Sequence, residues 1–160
     1  MPNDHQLREQ LVRILSWKEA HVGFDKAVAD LPRDKRGAHA AGFEHSVWQL
    51  VEHLRIAQAD ILDFCVNPAY VQAMTWPDDY WPKSPAPADA HAWDQSLASY
   101  RHDRDRLAAL ARETPDLYAL VPAGKGTQTY LRGILLAADH GSYHVGQIVA
   151  VRRAIGAWGG

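Results

Sequence analysis

Apolar residues recur at spacings of three and four in four separate stretches of the chain, and no series of segments alternates apolar and polar residues as half-buried strands do. That periodicity restricts the chain to an all-α architecture. In the first stretch Leu7, Leu11, Ile14, Trp17, His21, Phe24 and Val28 form one stripe, which predicts a single helix stopping at Leu31-Pro32 and places His21 on its inward side. The second starts at Ser46, where Ser46 and Gln49 match a capping box, and runs through Val47, Leu50, His53, Leu54, Ala57, Ile61 and Phe64 to Asn67-Pro68. Prolines and the run Trp76-Pro77-Asp78-Asp79-Tyr80-Trp81-Pro82 exclude a regular helix between about Tyr70 and Ala88, so this part reads as a long aromatic loop of the kind that usually serves function. The third helix follows Asp89 as N-cap. It turns Trp93, Leu97, Tyr100, Leu107 and Ala111 inward and the set Arg101, Asp103, Arg104, Asp105 and Arg106 mostly outward, and it ends at Thr114-Pro115. The last helix starts near Thr127 or Thr129 and reaches Ala154, with Gly156 as its stop.

A chain of 160 residues, 47% of them hydrophobic, is long enough to bury one core and too short for two domains of ordinary size, so residues 1–160 read as one domain. Seventeen basic residues stand against nineteen acidic ones, and the longest basic run is the pair Arg152-Arg153. That balance offers no footprint for a phosphate backbone or an anionic membrane, which disfavours nucleic-acid binding. The single cysteine, Cys65, lies in an apolar stretch and suits a buried small hydrophobe. The first residues lack a basic-then-apolar signal pattern and no apolar run approaches a membrane span, from which a cytoplasmic protein is expected.

Within the last helix Gly133, Ala137, His140, His144, Gln147 and Val151 share a face, and two histidines four apart on one face can close on one metal ion. The small residues below them are expected to leave room beside the rings. Two ligands on one helix cover only one side of an ion, so a third must come from another helix, and His53 is the best placed candidate. His45, eight residues earlier and about 12 Å along the axis, cannot readily share a site with it. His5, His39, His91 and His102 fall at a terminus, in loops or on a polar side, where solvation accounts for them.

The segment Glu44-His45-Ser46-Val47-Trp48-Gln49-Leu50-Val51-Glu52-His53-Leu54, followed by Asp139-His140 and Tyr143-His144-Val145-Gly146-Gln147-Ile148, resembles the DinB-like superfamily of metal-dependent proteins over essentially the whole chain. The resemblance implies an up-down-down-up four-helix bundle with one divalent ion held by His53 from the second helix and by His140 and His144 from the fourth; three imidazoles accept zinc, nickel, iron, manganese or copper, so the ligands do not select among them. It also implies pairing as a homodimer. Some resembling proteins transfer low-molecular-weight thiols or isomerise thiol adducts, and the family name carries no implication of DNA binding. Glutamine or asparagine stands in for a ligand in some relatives, whereas all three positions are histidine here.

Three neutral imidazoles leave at least one position of a divalent ion open, unlike the four protein ligands that close a structural zinc site. An enzyme is therefore expected, one that transfers a thiol to, or hydrolyses, a small-molecule substrate, with His21 assisting as a base. Two plainer readings stand beside it. The three histidines could be ordinary core imidazoles with His21 merely packing against Trp17, and the protein could be a non-catalytic, metal-stabilised helical bundle serving self-association or partner binding. Trp76, Tyr80 and Trp81 are expected to pack as a lid or to stack on substrate. Asp139 and Glu52 read as solvated surface, and Arg152 and Arg153 as cations at a helix C-terminus.

Overall fold

The computed structural model describes residues 2–159, and among these residues it contains five α-helices and no strand. The helices are α1 (Pro2–Ile14), α2 (Phe24–Val28), α3 (Val47–Val66), α4 (Ala90–Glu113) and α5 (Tyr130–Ala154), with single 3-10 turns at Arg33–Lys35 and Asp78–Tyr80. The starts of the three long helices follow local side-chain chemistry. Ser46 accepts from the Gln49 amide while the Gln49 side chain accepts from the Ser46 amide; Asp89 accepts from Ala92 N–H and Thr129 from Arg132 N–H. Gly156, at φ +67°, takes the left-handed conformation that stops α5.

The single N-terminal helix expected over residues 7–28 is two helices. After Ile14 the backbone tightens, with Ser16 N–H bonded to Arg13 and Trp17 N–H to Ile14, and Gly23 is extended ahead of α2. The two halves of the stripe then serve different parts of the core. Leu11 packs with Ala111, Leu117 and Ile134, whereas Phe24, Ala27 and Val28 join the larger cluster with Val47, Leu50, Trp48 and Val145. His21, in the turn between them, is exposed rather than inward.

Helix α3 packs against both α4 and α5, and α1 packs against α4 and α5. The meeting of α5 with α3 explains a glycine: a Cβ on Gly133 would stand 2.4 Å from Cys65 Sγ, so Gly133 makes room for Cys65 on α3 rather than for something beside the histidines. Burial raises the Cys65 thiol to about 11, which makes it a packing group and not a nucleophile.

Three charged residues with sufficient local explanations in the sequence are structural. Glu52 is half-buried; burial alone would raise its carboxyl, but hydrogen bonds from Arg55 and Ser96 hold it below the usual range. Arg152 is 4% exposed and donates to the carbonyls of Ala27, Ala29 and Ala157 at 2.7, 2.8 and 2.9 Å, with its guanidinium over the Trp158 ring. It ties α2 and the chain end to α5, and Ile155 and Ala157 pack on the main core. Arg104, expected outward, shares Asp25 with Arg101 and thereby joins α4 to α2.

Candidate metal centre

His53, His140 and His144 come together, each offering a ring nitrogen within 4.8 Å of the others. His53 is 1% exposed, His144 is 5% exposed and His140 is half-buried. The i,i+4 spacing on α5 supplies two of the rings, and the contact of α3 with α5 brings the third to meet them.

Hydrogen bonds around the cluster set the tautomers. His53 Nδ1 lies 3.0 Å from the Tyr80 carbonyl oxygen, which only accepts, so Nδ1 carries the proton and Nε2 keeps its lone pair. Gln147 Nε2 donates to Tyr143 Oη at 3.2 Å, which turns Gln147 Oε1 toward His144 Nδ1 at 2.6 Å. His144 is thereby protonated at Nδ1 as well, leaving its Nε2 as a lone-pair donor.

His140 Nε2 stands 3.0 Å from His53 Nε2. Two nitrogen lone pairs at that distance repel unless a proton or a cation lies between them. The separation falls in the range of roughly 2.9–3.4 Å expected of two imidazole nitrogens each about 2.0–2.1 Å from a shared ion. The donor set, the tautomers and this spacing all fit a divalent cation.

Electrostatics agree. Burial pushes His53 down to about 4, against a partial rise from the Tyr80 carbonyl, and burial together with the neighbouring His144 and His53 pushes His140 to about 4. Burial also lowers His144, partly offset by Gln147. The rings are therefore neutral and competent as ligands at neutral pH. An unfolded chain protonates the same rings near 6.5, so between that value and about 4 the unfolded state binds more protons. Stability of the metal-free protein should be complete above pH 6.5 and fall as the pH drops through this window. Urea denaturation of chelator-treated protein at pH 5 should show a loss on the order of 2 kcal/mol for each of His53 and His140 against pH 7.5. Replacing His53 by glutamine should remove its share, and equal stability at both pH values would show that the rings are not held neutral.

The long loop builds one wall of the centre and fixes His53. Tyr80 Oη donates to Asp60 Oδ2 at 2.7 Å, Tyr70 Oη donates to Asp60 Oδ1 at 3.0 Å, and Gln49 Nε2 donates to the Pro82 carbonyl at 3.2 Å, which pins the loop onto α3. Trp81 stacks on His53 at 3.8 Å between centroids, and His45 stacks on the other face of Trp81 at 3.7 Å. His45 thus enters the site's wall through a tryptophan from the loop. Sequence reasoning missed this because spacing along α3 says nothing about what the loop inserts between two of its neighbours. The anchoring role of Asp60 left no sequence signal.

The three histidines line a cavity of about 660 Å³ with His45, Trp76, Trp81 and Tyr143 among its other walls. Glu44 and Asp78 line it too, and no lysine or arginine does. Asp139 is exposed. His21 is not brought to this cavity; its Nδ1 meets the Val22 carbonyl and it lines a narrow crevice with Trp17 and Tyr100. A base role for His21 at the three histidines has no support in the geometry.

An all-helical chain with a three-imidazole cluster suited to a divalent ion is the class of protein defined here. A family model described as the DinB superfamily matches residues 16–148, and the chain belongs to that family. No curated protein and no solved structure gives a significant match.

Proposed function

We propose that the chain is a metal-dependent enzyme in which His53, His140 and His144 hold one divalent ion, and that it transfers a thiol to, or hydrolyses, a small molecule. The observation carrying this reading is the convergence of three ring nitrogens at the wall of a large cavity, two of them with tautomers set by Tyr80 and Gln147. A divalent ion held there by neutral imidazoles keeps its charge and lowers the pKa of a thiol or water beside it. Tyr80 orients His53, Gln147 orients His144, and Trp76 and Trp81 supply aromatic walls against which a small molecule can pack. The same reading takes α1, α3, α4 and α5 as an up-down-down-up bundle within one domain. It also takes the protein as a homodimer on the strength of the family resemblance; sedimentation showing only the 17.9 kDa chain at tens of micromolar would refute that part. No helix is long and apolar enough to cross a membrane among the described residues.

The test is turnover by metal-loaded protein across low-molecular-weight thiols paired with electrophilic acceptors, and across simple esters and amides. Activity should appear in one panel, vanish in His140→Ala and survive His21→Phe. Inactivity of fully loaded protein in both panels would turn the reading toward a non-catalytic, metal-stabilised bundle.

A further inference from the structure

A second cavity, of about 370 Å³, lies beside the first, and Trp76 and His140 are walls of both. Its character differs. Ala57, Ile61, Met74 and Leu136 are among its walls, and no lysine or arginine lines it. Apart from His140, its polar side chains are already engaged: each Asp60 oxygen accepts from a tyrosine, and Gln72 Nε2 donates to Tyr80 Oη at 2.8 Å and to the Met74 carbonyl at 3.0 Å. What remains for a ligand is the apolar wall.

The apolar wall is also partly open to solvent. Leu136 is 40% exposed and Trp76 is 61% exposed, so two large apolar side chains border this cavity without cover. Trp76 and His140 stand with ring centroids 6.4 Å apart, an edge-on pair that forms the shared wall. A molecule reaching the three histidines along Trp76 meets the second cavity at once.

We propose that the smaller cavity receives an uncharged, apolar arm, aryl or alkyl, of the same small molecule whose reactive group meets the three histidines. This rests on the metal-site reading for the reactive end. The apolar character of the arm follows from Met74, Leu136 and Ile61; an anionic arm is disfavoured by the absence of lysine and arginine from both linings together with Glu44 and Asp78 in the larger one, and a cationic arm by the engagement of both Asp60 oxygens with tyrosines. Substrates with a second anionic group are disfavoured by the same pattern.

The experiment uses zinc-loaded full-length protein, with acetohydroxamate and its phenylacetyl and 4-phenylbutanoyl homologues as metal-seeking probes measured by calorimetry. A parallel arm adds 4-phenylbutanol, which has no chelating group, to chelator-treated protein and follows the methyl resonance of Met74, one of only two methionines. Affinity should rise at least tenfold from acetohydroxamate to the phenylbutanoyl homologue, as burial of an aromatic arm predicts. The Met74 methyl should shift with 4-phenylbutanol. Leu136→Glu should cut the gain to less than threefold, and Met74→Ser should reduce it independently should the first variant fold poorly. Acetohydroxamate binding with no gain along the series, or an unmoved Met74 methyl, overturns the proposal. Failure of zinc and acetohydroxamate to bind would instead remove the metal reading, and the Met74 response would still decide whether the cavity takes an apolar arm. Loss of the gain in Leu136→Glu accompanied by a change from dimer to monomer would assign Leu136 to a second copy of the chain and overturn the proposal as well.

Discussion

Replacing His144 by alanine should take the protein from about one bound divalent ion per chain to almost none, because two remaining imidazoles cannot hold an ion that three enclose. The ring is buried, its proton is fixed by Gln147 and its free nitrogen faces His53 and His140, so no neighbouring side chain substitutes for it. His53→Ala should have the same effect and should also release the Tyr80 carbonyl from its partner. Gln147→Ala should be milder, weakening retention by about 10- to 100-fold, the range typical when the partner that orients a ligand histidine is lost. Elemental analysis after dialysis against a graded chelator series measures all three. Chelation of the parent protein should lower its Tm without unfolding it, since the cores around Leu50, Ile134 and Leu107 do not involve the ion. Metal content unchanged in His144→Ala would remove the site.

The largest effect on stability away from the centre is expected at Arg152. Its guanidinium serves three carbonyls from two separate segments, and Arg152→Met removes the donor from the buried Ala27 oxygen and from the part-buried Ala29 and Ala157 oxygens. A loss of about 3 kcal/mol follows, or roughly 6–12 °C in Tm for a chain of this size. Arg152→Lys should recover only part of it, because one ammonium cannot reproduce the planar fork that reaches Ala27, Ala29 and Ala157 together. Thermal denaturation by circular dichroism decides the matter, and a shift below 2 °C for Arg152→Met would show that this tie is not a stabilising one.

Arg152 also marks where sequence and structure part. Its position in the last turn of α5 gave it a sufficient local explanation, and nothing in the sequence says that residues 27, 29 and 157 return to it. Signals that act over three or four residues were legible: the Ser46–Gln49 box, the Asp89 and Thr129 caps, the Gly156 stop and the i,i+4 pair at His140 and His144 all stand where their chemistry puts them. The third histidine was legible because the stripe on α3 turns His53 inward. The break between α1 and α2 was not, since the apolar spacing continues unbroken across residues 15–23 while the backbone does not. His21 inherited that error and stands in the exposed turn. Gly133 misled in a different way: smallness at that position serves contact with Cys65, not space for a ligand. The long loop was legible from its prolines and aromatics, but its attachment through Asp60 and its insertion of Trp81 between His45 and His53 depend on contacts with α3 that spacing does not encode.

The central claim is that His53, His140 and His144 hold one ion together. It is tested most directly by crystallising protein loaded with a single divalent metal and collecting diffraction data on either side of that metal's absorption edge. One anomalous peak per chain is predicted, about 2.0–2.2 Å from Nε2 of His53 and His144 and from the facing nitrogen of His140. A peak placed elsewhere, or three imidazoles hydrogen-bonded to one another with no peak between them in metal-saturated crystals, would contradict it.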